Sequence, residues 1–393
     1  MRFLFTVQPM FGHFHSVVSL ARALQDHGHE VAFATGKNFE PVVQRAGFRH
    51  FTGGIDFDGS VDTLEALPEW QAIKKQIPPG PVQQLTGFAQ VLAPVMADDL
   101  LILVKSWQPQ VIIRDPVEFG GYIAAEYWGL PHATIMWALY ISAKLAIADT
   151  LLELRQHYHL PPDPELDTLD RYLILDFLPL SWMFPAWPSP AVTHRFCAPP
   201  FDLSSDDSLP DWFQSLPPQP TVYATLGTTF NQAPAIFRAI IKAFSDQAVN
   251  LIITVGRSMD PAQFQSPADH IKVARYIPQT LLLPHCDAVI FHGGYNSLLS
   301  ALWHGLPMVI IPQEGGDQFP TACRCVEIGV GVLVDGTPPA PEAIHSAVST
   351  VLEQPAYRAR AQQFQREIKA LPPLAEAVKR LETLVTSREP QRC

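Results

Sequence analysis

Apolar residues recur along this chain with two periods. Short apolar runs at residues 2–7, 31–35, 111–114 and 131–136 have strand length, and the segments 15–27, 39–46 and 119–128 repeat apolar positions at helical spacing. The alternation predicts a parallel sheet covered by helices. A second series starts at 221–226 and runs through a helix over 235–245 and strands over 250–255, 271–274, 288–291, 308–311 and 330–334. It closes in a helical pattern over 341–386. The proline-dense stretch 216–220 (LPPQP) lies between the two series and marks a connection. The expected organisation is an N-terminal domain over 1–205, a linker over 206–220, a second domain over 221–375, and a C-terminal helix and tail over 376–393 that packs back on the first domain. Residues 52–108 and 137–190 have the weakest pattern, and irregular structure lining a variable pocket is expected there.

Composition agrees with two cores. The chain has 393 residues, 47% of them hydrophobic, which is enough to bury a sizeable interior and excludes a disordered protein. A net charge of −11 without a basic patch argues against a nucleic-acid partner. The five cysteines, Cys197, Cys286, Cys323, Cys325 and Cys393, have no zinc-type spacing and read as reduced thiols. The apolar run 2–7 breaks at Gln8–Pro9 and reads as a strand, not a signal peptide. No apolar stretch near the C-terminus has the length of a bilayer span. The expectation is a cytoplasmic protein without a stable membrane anchor, monomeric or homodimeric.

Candidate chemistry concentrates in residues 276–318. The strand-like run 288–291 (AVIF) leads into His292-Gly293-Gly294-Tyr295-Asn296-Ser297 and then a helical pattern with Leu298, Leu299, Leu302 and Trp303 inward. The N–H groups and positive dipole end of such a helix suit a diphosphate, and Gly293 and Gly294 let a ligand approach the backbone. His292, Asn296 and Ser297 add side-chain donors. A Gly-Gly pair before a helix is also an ordinary tight turn, so its neighbours matter. Tyr276 offers a ring to stack on a base and Gln279 an amide for a ribose hydroxyl. Asp317 and Gln318, beyond the strand 308–311, can grip sugar hydroxyls at a strand's carboxyl end.

The first half of the chain offers a second group. Gly12-His13 is expected in the loop after the first strand, where an imidazole could serve as general base at neutral pH. A lone histidine is more often structural, but Asp115 ends the strand 111–114 on the same sheet edge and could orient His13. Asp115 could equally cap the next helix, with Pro116 at its first position. His15, His27 and His29 read as solvated or helix-end residues. Trp137, Tyr140, Phe177 and Trp182, with Leu145, Leu151, Leu152 and Phe184, suggest an apolar wall for an acceptor, although helices packing in a core would give the same composition.

The run 276–318 resembles the donor-binding signature of the family 1 glycosyltransferases, a group that includes plant and bacterial natural-product enzymes and the vertebrate glucuronosyltransferases. The resemblance is carried by Tyr276, Pro278-Gln279, the His-x-Gly-aromatic-Asn-Ser core, Gly305-Leu306-Pro307 and Asp317-Gln318. It extends through Gly12-His13, Gly28-His-Glu-Val31, Asp115 and Leu226-Gly-Thr-Thr229. A bacterial antibiotic-type member is implied, with the α/β GT-B fold of two doubly wound, Rossmann-like domains facing across a cleft. The resemblance implies inverting transfer with His13 as base and Asp115 as its partner. It also implies a donor site of Gly12, Thr228, Tyr276, Ile277, Gln279, His292, Gly293, Gly294, Asn296, Ser297, Asp317 and Gln318. No metal and no cofactor are implied beyond a nucleoside diphosphate sugar as co-substrate.

Two departures bear on the donor. Ser300 stands where plant members place a ribose-gripping Glu, which favours a dTDP-sugar over a UDP-sugar, and the loop 312–317 is one residue longer than the plant spacing. The acceptor expected is a lipophilic natural product. The alternatives are a nucleotide-sugar epimerase of the same fold and a non-catalytic auxiliary subunit.

Overall fold

The computed structural model describes the whole chain except residues 58–62, 65, 137–143, 186–188, 203–207, 228–231, 265, 267, 314–316 and 393. Two compact units result, one of Met1–Pro199 with Leu371–Cys393 and the other of Pro200–Ala370. Each is built on its own parallel sheet with helices over both faces.

In the first unit the strands are β1 (Arg2–Thr6), β2 (Glu30–Thr35), β3 (Arg49–Thr52), β4 (Val111–Arg114), β5 (His132–Ile135), β6 (Leu173–Asp176) and β7 (Thr193–Arg195). Their spatial order is β3-β2-β1-β4-β5-β6-β7, parallel throughout. Winding therefore reverses between β1 and β4, the point where open sheets of this kind leave a crevice at their carboxyl edge. All four residues of β4 are buried, as expected for a strand covered on both faces. The helix α1 (Phe11–Asp26) follows β1, α2 (Ala93–Trp107) precedes β4, and α3 (Phe119–Trp128) follows it.

The region expected to be irregular is largely helical. Helices at Pro68–Gln76, Pro81–Gly87 and α2 each carry proline at their first or second position. At Pro68 and Pro81 the missing N–H costs no hydrogen bond, so these prolines start helices, whereas Pro94 lies inside the continuous helical run Pro81–Trp107. A π-helical turn at Phe88–Leu92 joins the last two. The run Pro81–Trp107 has the length and apolarity of a membrane span, yet half of its most apolar window is buried inside the protein. The strand β6 and a helix at Ala148–His157 lie in the other stretch expected to be irregular.

The second unit contains β8 (Thr221–Thr225), β9 (Asn250–Thr254), β10 (Ile271–Ala274), β11 (Ala288–Phe291), β12 (Met308–Ile310) and β13 (Gly331–Leu333), in the order β10-β9-β8-β11-β12-β13. Its winding reverses between β8 and β11. The helix α4 (Pro234–Phe244) turns Ile236, Phe237, Ile240 and Phe244 onto this sheet. The helices α5 (Tyr295–Trp303), α6 (Gln318–Glu327), α7 (Pro341–Glu353) and α8 (Pro355–Lys369) follow.

The chain enters this unit at Pro200, ahead of the proline-rich stretch expected to be a linker. That stretch is fastened to the second sheet: the Asn250 side-chain amide donates to the Pro217 and Gln219 carbonyls at 2.9 and 3.2 Å, and the Asn250 backbone N–H to Pro220 at 2.8 Å. The final helix, α9 (Leu374–Ser387), belongs to the first unit. It packs beside α1, and Glu382 pairs with His29 at 3.0 Å. Its Ala377, Val378, Leu381 and Leu384 are fully buried.

Because that apolar stripe completes the first core, Leu381→Ala should destabilise the protein by about 2–5 kcal/mol in chemical denaturation. A loss well under 1 kcal/mol would mean that α9 is dispensable to the first unit.

Candidate functional site

At the carboxyl edge of the first sheet, β1 and β4 run side by side with Thr6 opposite Arg114. The next residues on each strand therefore leave the sheet together. Asp115 has no solvent exposure, and its backbone N–H donates to the Thr6 carbonyl at 3.1 Å. A carboxylate so enclosed needs donors. Its Oδ2 accepts from the Gln8 N–H at 3.0 Å and its Oδ1 from the Val117 N–H at 2.9 Å.

The remaining partner is His13, whose Nδ1 lies 3.0 Å from Asp115 Oδ2. Because a carboxylate only accepts, Nδ1 carries a proton, and in the neutral tautomer this makes Nε2 the acceptor nitrogen. Sequence analysis placed Gly12 and His13 in a loop; both lie in the first turn of α1, with the His13 N–H donating to the Met10 carbonyl at 3.1 Å. The His13 side chain keeps 13% exposure, so the dyad opens outward only through the imidazole. Phe88, from the π-helical turn, lies beside that ring with centroids 6.1 Å apart. The helix-cap reading of Asp115 goes elsewhere. The cap of α3 is Glu118, whose Oε1 and Oε2 accept from the Gly120 and Gly121 N–H groups at 2.7 and 2.8 Å.

The second unit holds the other cluster, at its own switch point. The chain leaves β11 through His292, turns at Gly293 with φ +99°, and starts α5 with Gly294 as its N-cap. A Cβ on Gly293 would lie 2.7 Å from the Gln318 carbonyl, so α6 can approach this turn only because the position is glycine. A Cβ on Gly227, just beyond β8, or on Gly294 would meet the His292 ring at 2.6 and 2.4 Å. The imidazole is thus clasped between two glycines. Burial holds its pKa down to about 4, so at neutral pH it carries no charge, and its Nδ1 has no hydrogen-bond partner among the described residues. A neutral imidazole donates one hydrogen bond and accepts another, so His292 can still serve as the side-chain donor expected from the sequence.

The first intrahelical bond of α5 runs from the Leu298 N–H to the Gly294 carbonyl at 3.1 Å, so the N–H groups of Tyr295, Asn296 and Ser297 precede the ladder at the positive end of the helix. Tyr276 precedes this cradle with its ring 47% exposed, whereas Ile277 is buried. Gln279 Nε2 reaches Ser297 Oγ at 3.4 Å, a long contact that links the segment around Tyr276 to the cradle.

Asp317 is the N-cap of α6, while Gln318 is buried and its Oε1 accepts from the Gln313 N–H at 2.7 Å, bracing the loop ahead of it. Thr228, Trp137 and Tyr140 lie outside the described residues. Phe177 and Trp182 are fully buried in the first unit, which makes them core side chains and not an open wall.

The chain matches the profile of the erythromycin biosynthesis protein CIII-like N-terminal domain over residues 22–227 and that of its C-terminal domain over 238–384. It is 28% identical to 4'-demethylrebeccamycin synthase of Lentzea aerocolonigenes, the match covering 98% of this chain and 99% of the relative. It is 26% identical to 3-alpha-mycarosylerythronolide B desosaminyl transferase of Saccharopolyspora erythraea over the full length of both. Among solved structures, the glycosyltransferase VinC in complex with dTDP superposes with a TM-score of 0.79 at 25% identity, covering 98% of this chain and 100% of that one. The spinosyn rhamnosyltransferase SpnG complexed with spinosyn aglycone gives 0.78 at 25% identity, covering 97% and 100%.

Glu118 is a neighbour of the dyad that sequence reading passed over. It follows Asp115 by three residues and looks like an ordinary first-turn acid. Burial raises its pKa from 4.5 to about 7, with the Asp115 charge adding to the rise and the Gly121 N–H opposing it. Gly121 makes room for it, since a Cβ there would lie 2.6 Å from Glu118 Oε2 and 2.3 Å from Thr6 Oγ1. Between pH 4.5 and about 7 the unfolded chain gives up this proton and the folded protein keeps it. Stability relative to Glu118→Gln should therefore fall as pH rises through that window, by roughly 3 kcal/mol in all. Parallel urea titrations of the two proteins across this range test it, and a pH-independent difference between them would contradict the shift.

Proposed function

The chain belongs to the family 1 natural-product glycosyltransferases, and on that premise we propose that it moves a sugar from a nucleoside diphosphate, dTDP in preference to UDP, onto a hydroxyl of a lipophilic small molecule with inversion at the anomeric carbon. His13 is the general base and Asp115 the residue that orients it. The observation that carries this reading is the 3.0 Å bond from Asp115 Oδ2 to His13 Nδ1, which leaves Nε2 as an acceptor at the mouth of a buried dyad.

In the proposed reaction, His13 Nε2 takes the proton of the acceptor hydroxyl as its oxygen forms the new bond to the anomeric carbon. The bond from that carbon to the diphosphate breaks, and its electron pair leaves with the diphosphate. The imidazolium so formed is stabilised by the Asp115 carboxylate. The negative charge developing on the leaving group is met by the first-turn N–H groups of α5, supplemented by the neutral His292, without a metal ion. Tyr276 stacks on the base and Gln279 faces the sugar of the nucleoside. The ring of Phe88 beside His13 supports an apolar acceptor. The preference for dTDP is supported by Ser300, which is buried within α5 and has too short a side chain to reach a ribose diol.

The His13→Ala variant should lose about 10²–10⁴-fold in turnover while keeping donor affinity. A variant close to the wild-type rate would remove His13 from the mechanism. Calorimetry with dTDP and UDP on one sample should give the tighter binding for dTDP, and the reverse order would overturn the donor preference.

A further inference from the structure

The segment that presents Tyr276 and Gln279 is held by a residue outside the motif that identifies the site. Asp202 lies just inside the second unit, far from 276–280 in sequence, and its carboxylate gathers the donors of that segment. Its Oδ2 accepts from the Gln279 N–H, and its Oδ1 accepts from Thr280 Oγ1 at 2.5 Å and from the Thr280 N–H at 3.3 Å. The backbone carbonyl of the same residue accepts from the Tyr276 hydroxyl. One residue thus holds both ends of the segment: its carboxylate at Gln279 and Thr280, and its carbonyl at the tip of the Tyr276 ring.

This arrangement has a mechanical consequence. The Tyr276 ring is half exposed. Stacking on a base is sensitive to the ring's height and tilt, and an ordered platform spares the ligand the entropy of ordering it. The tether at the ring's hydroxyl and the cap at Gln279 and Thr280 help to fix both. The Gln279 side chain, carried on the same backbone, in turn reaches Ser297 in the first turn of α5.

We propose that Asp202 is a positioning residue for the nucleoside base of the donor: it acts through Tyr276 and Gln279 and sets the affinity for the base while touching neither sugar nor diphosphate. The proposal rests on the reading of Tyr276 as the base platform given above. A charged side chain was favoured here over a neutral one because it must satisfy three donors at once, which a carboxylate does with its two oxygens.

The test compares two ligands on the full-length protein by calorimetry: dTDP, and 2-deoxyribose 5-diphosphate, which has the same diphosphate and sugar but no base. Asp202→Ala should weaken dTDP by about 10- to 100-fold, the scale expected when a supporting contact lets a binding group move by about 1 Å. It should leave the base-less ligand within about 2-fold, below the size of one ordinary hydrogen-bond contribution. In a Tyr276→Ala background the same substitution should cost dTDP almost nothing further, because the ring it positions is gone. Equal losses for both ligands would mean that Asp202 merely keeps the unit folded, and no loss for either would mean that the platform stands without it; each result overturns the proposal. Failure of the wild-type protein to bind dTDP at all would instead sink the donor reading, and this inference with it.

Discussion

Asp115 is the constraint around which the first unit's chemistry is arranged. A carboxylate with no exposure must be surrounded by donors, and the three it has come from separate pieces of chain: Gln8 beyond β1, Val117 at the turn into α3, and His13 on α1. The pairing of Thr6 with Arg114 brings those pieces together, so the geometry of the dyad follows from the order of strands. Reversal of the winding between β1 and β4 sends α1 and α3 to opposite faces and leaves an opening above the shared edge. The same logic recurs in the second unit, where β8 and β11 are neighbours and Gly227 closes on the ring of His292.

Burial acts on the groups around these edges with different results. Glu118 lies three residues from Asp115 and is equally buried, yet its two backbone donors leave it short of what its charge requires, and it holds its proton to about pH 7. His292, enclosed by glycine on both sides, is held neutral. On the proposed reading, the neutral His292 lets a polar atom line the edge of the second sheet without adding a fixed charge.

Much of this was legible in the sequence, for identifiable reasons. The strands β1, β4, β8, β9 and β11 are continuous apolar runs of strand length, which is what burial on both faces demands. The glycines at 293 and 294 announced a turn into a helix. The helices between 68 and 107 were not legible, because that stretch has the weakest apolar pattern, although Pro68 and Pro81 sit where helices begin. The strands β6 and β7 are too short to show a period; β6 extends the edge that β5 offers and β7 the edge of β6. At the site, the pairing of His13 with Asp115 could be anticipated from two strand ends, whereas Asp202 carries no local signal: a single acid beside a run of serines and aspartates reads as solvated linker. Phe177 and Trp182 illustrate the opposite error, since large aromatic side chains fill a core as readily as they line a pocket.

The position of Ser300 bears on how donor selection could work on this scaffold. It lies in the second turn of α5, facing the interior with little exposure, so the helix that cradles the diphosphate contributes no long polar side chain toward the nucleoside from that position. Discrimination must then come from the platform ahead of the helix. That platform has one exposed ring, one amide at Gln279, and a fixed backbone beneath them. A ring recognises the face of a base with little regard for the sugar, and the Gln279 amide offers one acceptor and two N–H donors without the charge-assisted bonds that a carboxylate would make to a diol. On the proposed reading, the short Ser300 side chain provides no diol clamp from α5, and the contacts to the nucleoside fall to Tyr276 and Gln279.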